Sequence, residues 1–301
     1  MNRTLFTAIL SALPVLAFSA NPAAAQNNME NVEIKAQPLA PGVAVLFGAG
    51  GNIGVSYGPD GTVLIDDQFA PLTAKIQKAV ADLGAAPVKY LINTHWHGDH
   101  TGGNENFGNA GALIMAHDNV RVRMASEQKR GERITPASPK IALPVVTYDG
   151  GLKLHLNGEE VRAIHVDPAH TDGDTIIHWR TSNVIHMGDT FFNKASFPFI
   201  DLNSGGDVHG VVKAADVALA LANDDTKIIP GHGPVATKAD LQAYRDMVAD
   251  VLARVQNAMG KNNGLPAIKA MKLTQQYDVN ANGFISGDAF VEAVYTSLGG
   301  K

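Results

Sequence analysis

The chain is 301 residues long, 45% hydrophobic and 18% charged, with a formal net charge of −5 and no cysteine. That length and composition suit a globular protein with a real core, built as one large domain or two small ones. The acidic balance without a basic stripe argues against nucleic acid as a partner, because phosphate neutralisation needs clustered Lys and Arg, and the missing cysteines exclude thiolate catalysis and thiolate metal ligands.

Arg3, the apolar run from Leu5 to Phe18 and the small residues Ala23-Ala24-Ala25 follow the order of an export signal over residues 1–25. The run is shorter than the roughly 20 residues that span a bilayer. The expectation is cleavage before Gln26, no membrane span afterwards, and a periplasmic or secreted mature protein. Residues 26–38 read as a mobile lead-in. VAVLF from Val43, IGVSY from Ile53 and TVLID from Thr62 are short apolar runs separated by a Gly-rich turn and by Pro59-Asp60-Gly61, which predicts antiparallel strands. Leu72 to Leu83 places Ile76, Val80 and Leu83 at helical spacing, and Val88 to Asn93 reads as a buried strand. A strand at Ala112–Met115, a helix around Asn119–Ser126 and a polar stretch through Arg133 follow. A β-rich block then runs from Val145 to Asp189, with turns at Gly150-Gly151 and Asn157-Gly158. Val208–Ala222 reads as a helix, Lys227–Ile229 as a strand and Lys238–Met259 as a long amphipathic helix. This order predicts two sheets with helices outside, in one catalytic domain over residues 26–258, with residues 259–301 a helical extension of it. Within that extension Asp278 to Gly283 begins like a calcium loop, but the position of the bidentate Glu is Ala289, so a polar turn before a helix at Gly287–Leu298 is expected. The pattern sets no oligomeric state.

The chemistry concentrates in His95-Trp96-His97-Gly98-Asp99-His100, directly after an apolar strand. His95 and His97 are two apart and project to one side of an extended chain. Gly98 lets the backbone turn, so that Asp99 and His100 can face a second ion beside the first. Four such residues in six positions are costly to pack without a metal. Imidazole and carboxylate suit zinc, and manganese or iron accept the same donors. Three further candidates lie beside Gly or Pro in loops at strand ends, where a rigid scaffold presents functional groups: His170, Asp189 and His232. His117, His155, His165, His178, His186 and His209 read as polar surface residues, with His165 and His186 also able to support ligands.

HWHGDHTGG, PAHTDGD, HMGDTFF and IPGHGP, in this order, resemble the metal motifs of the metallo-β-lactamase superfamily over roughly residues 40 to 240. The resemblance implies an α+β fold, a four-layer αβ/βα sandwich. It also implies a two-zinc site: His95, His97 and His170 on the first metal, Asp99, His100 and His232 on the second, Asp189 bridging. A hydroxide between the ions would attack a carbonyl carbon, with Asp99 orienting it and shuttling a proton. Leu64-Ile65-Asp66 resembles the early strand motif whose Asp braces the metal loops. The lack of Cys sets aside the cysteine-ligand β-lactamases, and Asp189 in a GDT context resembles glyoxalase II, lactonases and related hydrolases. The Gly-Cys-Gly-Arg type stretch of glyoxalase II is replaced here by the aromatic segment Phe191–Phe199. That segment should flank the cleft, with Lys194 a candidate partner for a substrate carboxylate, and Trp96 either lines the cleft or packs inside. The expected activity is hydrolysis of a cyclic amide or ester in a small molecule, β-lactamase-like, with lactone or other ester or thioester hydrolysis as the rival. Persulfide dioxygenases, with one iron, share the H-x-H-x-D-H motif and form a rival of another class. A non-catalytic metal- or solute-binding module is a third, against which the intact ligand set argues.

Overall fold

A computed structural model describes residues 29–130, 132–277 and 283–300. The export-signal reading of residues 1–25 and the calcium-loop-like residues 278–282 lie outside the described residues. Two sheets stack face to face, and each carries helices on its outer face. The larger has seven strands in the order β1-β2-β3-β4-β5-β6-β9: β1 (Lys35–Ala40), β2 (Val43–Phe47), β3 (Ile53–Gly58), β4 (Gly61–Ile65), β5 (Val88–Ile92), β6 (Leu113–His117) and β9 (Val146–Tyr148). β1 to β4 pair antiparallel, and β4, β5, β6 and β9 run parallel. The smaller sheet has the order β10-β11-β12-β13-β14: β10 (Gly151–Leu156), β11 (Glu159–His165), β12 (Thr175–Trp179), β13 (Val184–His186) and β14 (Lys227–Ile229). It is antiparallel except for the parallel pair β13 and β14.

The period-2 alternation of the strands sorts their side chains into three layers. Val63 and Ile65 of β4, Ile92, Ile177, Trp179, Val184 and Ile229 meet between the sheets. Leu64 and Leu91 face the other way, onto Ile76 and Val80 of α1 (Thr73–Asp82). Ile176, Ile185 and Ile228 face α5 (Val208–Leu221) and α6 (Lys238–Gly260) on the far side. This is the αβ/βα sandwich. Asp207 caps α5 by accepting from His209 N, and Thr237 and Asp240 form a reciprocal capping box on α6, which explains where both helices begin. α8 (Gly287–Ser297) buries Phe290, Val291 and Val294 in the same core as α5 and α6, so the C-terminal extension packs as part of this layer.

Three readings of the sequence are corrected. The lead-in is structured from Lys35: β1 is an edge strand whose residues are exposed except Leu39 and Ala40, so polarity hid it. Val146–Tyr148 joins the larger sheet beside β6 rather than the block that follows it. The polar stretch through Arg133 contains a small hairpin, β7 (Gln128–Arg130) with β8 (Arg133–Thr135). Three short helices lie between strands, α2 (Gly98–Thr101), α3 (Asn104–Asn109) and α4 (Asp118–Met124), and a fourth, α7 (Leu265–Ala270), joins α6 to α8; of these the sequence predicts α4. Among the described residues, no helix is long and apolar enough to cross a membrane.

Candidate metal centre

The two sheets present their strand ends to one cleft. β5 runs into His95 and His97, and α2 then carries Asp99 and His100. His170 lies between β11 and β12, Asp189 follows β13, and His232 follows β14, where it bridges to Phe192. These seven residues, from four separate stretches of the sequence, form two clusters: His95, His97, His170 and Asp189, and beside them Asp99, His100 and His232. Asp189 faces both. Its Oδ2 lies 3.5 Å from His170 Nε2 and 3.8 Å from His95 Nε2, while its Oδ1 lies 3.1 Å from His100 Nε2 and 3.5 Å from His232 Nε2. Asp99 Oδ2 is 3.3 Å from His232 Nε2, and His97 Nδ1 stands 2.8 Å from His170 Nε2.

The donors fit a metal. His95 Nε2, His100 Nε2 and Asp189 Oδ1 are buried and make no hydrogen bond, although two of them come within 3.1 Å of one another. Buried polar atoms without partners are costly in an interior, and contact distance without hydrogen-bond geometry is what ligands of a shared ion display. The charge balance agrees. Burial pushes the His95 pKa well below its usual value, and that of His170 down to about 4, so both are neutral imidazoles at pH 7. Burial works against the charged forms of His100 and His232 too, but the carboxylates of Asp189 and Asp99 outweigh it; the pKa of His232 rises to about 9. Asp99, despite burial, is held at about 2 by His100 and His232. The carboxylates thus attract positive charge to the cleft.

Each ligand's outer nitrogen is tied down where a partner is present, which fixes ring and tautomer. His100 Nδ1 donates to Asp66 Oδ2 at 2.7 Å, and Asp66 also accepts from Thr94 N and Thr94 Oγ1, both at 2.7 Å. Asp66 adopts a left-handed φ of 62° to do so, a strained conformation for a non-glycine residue. Asp66 thus links the His100 ring to Thr94. His97 Nε2 donates to Asp201 Oδ2 at 2.9 Å, and His170 Nδ1 to the carbonyl of Phe199 at 2.7 Å. Asp174 accepts from His170 N and Thr171 N, closing the His170 loop.

Sequence reading missed Asp201 and Asn52. Asn52 Nδ2 donates to the carbonyls of Pro230 and Gly233, on either side of His232, across 178 and 181 residues of sequence. His186, expected either at the surface or in support of a ligand, is fully buried: Gly188 N donates to its Nδ1, and its Nε2 donates to Asn52 O, which holds the turn before Asp189. His117 and His178 are buried as well, and His117 stacks on His165 with ring centroids 3.7 Å apart. His155 and His209 are exposed, as expected. Lys194 does not reach the site. Its side chain is 70% exposed and pairs with Asp240 at the start of α6, and its backbone has a left-handed φ of 57°. Trp96 lines the cleft and donates to Ser204 Oγ.

The cleft opens into a cavity of about 970 Å³, walled by His97, Asp99, Asp189 and His232 and by apolar side chains including Phe69, Trp96, Met124 and Phe199. Its Arg123 is engaged by both oxygens of Asp172, at 2.7 and 2.6 Å.

Fold and site together define an αβ/βα sandwich with a His/Asp cluster at the sheet ends that could hold metal. Residues 47–232 match the family model described as the Metallo-beta-lactamase superfamily, and the chain belongs to that superfamily. A 2,4-dinitroanisole O-demethylase subunit alpha from Nocardioides sp. is 25% identical over 48% of this chain and 42% of its own. A hydroxyacylglutathione hydrolase from Polaromonas sp. is 27% identical over 54% of this chain and 55% of its own. The chain thus spans about half the length of these curated relatives. A solved stereoselective inverting sec-alkylsulfatase from Pseudomonas sp. shares the fold, with a TM-score of 0.68 at 18% identity, over 87% of this chain and 50% of its own.

Proposed function

We propose that this chain is a metal-dependent hydrolase that opens an ester or cyclic ester in a small, largely apolar molecule. The observation that carries the reading is Asp189, whose two oxygens face different groups of His and Asp donors. One carboxylate serving two donor groups suits a pair of ions rather than one, and imidazole with carboxylate suits zinc. His95, His97 and His170 would hold the first ion, Asp99, His100 and His232 the second, with Asp189 between them. Such ions supply Lewis acidity, polarising a carbonyl and lowering the pKa of water towards about 7. Asp99, ionised at neutral pH, 29% exposed and part of the cavity wall, supplies a carboxylate as proton acceptor. His97, held by Asp201, forms the wall against which a substrate is oriented.

The substrate order departs from the β-lactam expectation for a physical reason. Lys194, the proposed partner of a β-lactam carboxylate, lies elsewhere, and Arg123 is already paired. An uncharged ester or lactone therefore suits the described wall better than an anionic β-lactam. Thioester hydrolysis is the second reading, supported by the name of the Polaromonas relative. On the pattern of residues 1–25, we place the activity in the periplasm or outside the cell.

The test is a panel of lactones, aryl esters, thioesters and β-lactams, run with and without a chelator, alongside elemental analysis. Chelator-sensitive ester or lactone hydrolysis with two zinc ions per chain is expected. Hydrolysis indifferent to chelator overturns the reading. One iron per chain with persulfide-dependent oxygen uptake replaces it with the dioxygenase.

A further inference from the structure

The match to the superfamily ends at residue 232, yet the cavity wall does not. Phe284 and Ile285, more than fifty residues further on, line it as well. Phe284 is 59% exposed and is the one aromatic side chain among the large exposed hydrophobics of the described residues. Its ring lies 5.5 Å from that of Phe192 and 5.8 Å from that of His232. An aromatic ring left in water beside a reactive centre is a standing source of binding free energy for any apolar group that covers it.

The segment is fixed in place. Ile285 N donates to Ser196 Oγ at 2.8 Å, tying it to the loop that follows Asp189. Ser286 then caps α8 by accepting from Ala289 N, and Phe290 stacks on Phe197 of the same loop, with ring centroids 5.7 Å apart. The rim position of Phe284 is thereby set by α8 and by the Phe191–Phe199 segment together.

We infer that Phe284 is a specificity-determining residue that receives an apolar aryl or alkyl group of the substrate, on the His232 side of the centre. This rests on the hydrolase reading, because it takes the cavity as the substrate's seat. It narrows the substrate class to esters or lactones bearing a hydrophobic aryl or alkyl group. Phe199 and Trp96 line the same cavity beside His97, so its apolar lining continues on that side of the centre.

The test uses the full chain loaded with zinc and reads binding separately from turnover. Acetate and 4-phenylbutyrate, carboxylates without and with an aryl group, are titrated calorimetrically into wild type, Phe284→Ser and Phe284→Leu. Wild type should prefer 4-phenylbutyrate. Phe284→Ser should lose about tenfold of that preference, the range expected when an apolar contact is removed from a pocket, while acetate affinity and zinc content stay unchanged. Phe284→Leu should retain most of it. An unchanged preference in Phe284→Ser overturns the inference. So does an equal fall for both ligands or a loss of zinc, since either would mean that Phe284 acts by supporting His232. If the preference behaves as expected but no ester or lactone is hydrolysed, the hydrolase reading fails while the apolar subsite stands.

Discussion

Asp201→Asn isolates the contribution of a residue that never touches the proposed ions. In the wild-type chain Asp201 Oδ2 accepts from His97 Nε2 at 2.9 Å and from Ser204 Oγ at 2.7 Å. Burial raises its pKa, but these two donors outweigh burial and hold it at about 2, so it is a full carboxylate at any ordinary pH. The charge makes His97 Nδ1 a better donor and fixes its ring against His170. An asparagine keeps the shape and an acceptor oxygen but removes the charge. Losing such an outer partner costs about 10- to 100-fold in metal affinity, and the isosteric change should fall at the low end, about 1.4 kcal/mol. Asp201→Ala, which also frees the ring, should fall near the high end, about 2.8 kcal/mol. Zinc titration against a chromophoric chelator at pH 7 gives both numbers, with circular dichroism confirming the fold. If both variants are folded and bind zinc as tightly as wild type, the His97–Asp201 contact does not tune the site.

Three further outcomes follow from other parts of the structure. A Cβ on Gly51 would overlap the His100 ring, and one on Gly231 would overlap Asp189 Oδ1, so Gly51→Ala and Gly231→Ala should each lower bound zinc in a folded protein; full zinc content in both would contradict the packing. Glu159 accepts from the backbone N–H groups of Glu160, Thr181 and Ser182, and although burial raises its pKa these bonds outweigh it and hold the pKa below the usual value. The unfolded chain therefore binds this proton more readily, so the stabilisation is present above about pH 4.3 and is lost as pH falls through the lower folded value. Glu159→Gln should destabilise by about 1–2 kcal/mol at pH 7 and by less at pH 3 in urea titrations, and a gap that stays constant refutes the assignment. Lys194→Gln should leave kcat/KM within about twofold of wild type, since an exposed ion pair contributes little; a tenfold fall would return Lys194 to the site.

The legible part of this protein was local. His95 to His100 sit in six consecutive positions, and His170, Asp189 and His232 each carry Gly or Pro neighbours at the end of an apolar run, so the sequence near each ligand announces it. β2 to β5 and β14 were equally legible, because a buried strand writes its burial into a short stretch of composition. What stayed hidden depends on distant partners. Asn52 looks like one residue of a Gly-rich turn until Pro230 and Gly233 arrive beside it. Asp201 follows an apolar segment with no motif of its own and gains its role only when β5 delivers His97. The full burial of His186 stayed hidden because burial is a property of the stacked sheets, and β1 because an edge strand needs no apolar face to pair. Lys194 failed for the opposite reason: nearness to Asp189 in sequence suggested nearness in space, but the side chain is exposed and pairs with Asp240.

The division of the ligands between the sheets has a consequence for stability. The larger sheet supplies His95, His97, Asp99 and His100, and the smaller supplies His170, Asp189 and His232, so neither can build the candidate centre alone. Binding an ion then requires the inter-sheet core around Ile65, Ile177 and Trp179 to be docked. Metal that binds the docked state but not the unfolded chain stabilises it by about 2.7 kcal/mol at a free concentration 100 times Kd. For a chain of this size, with an unfolding entropy of about 0.6 kcal/mol/K, that corresponds to a rise in Tm of about 4–5 °C. His170→Ala and His95→Ala, one from each sheet, should both reduce the rise, because each removes a ligand from the same ion. Calorimetric melts with zinc and with chelator measure it. A Tm indifferent to zinc would mean that the sheets dock without help from the centre, and that the unpartnered atoms of His95, His100 and Asp189 are satisfied in some other way.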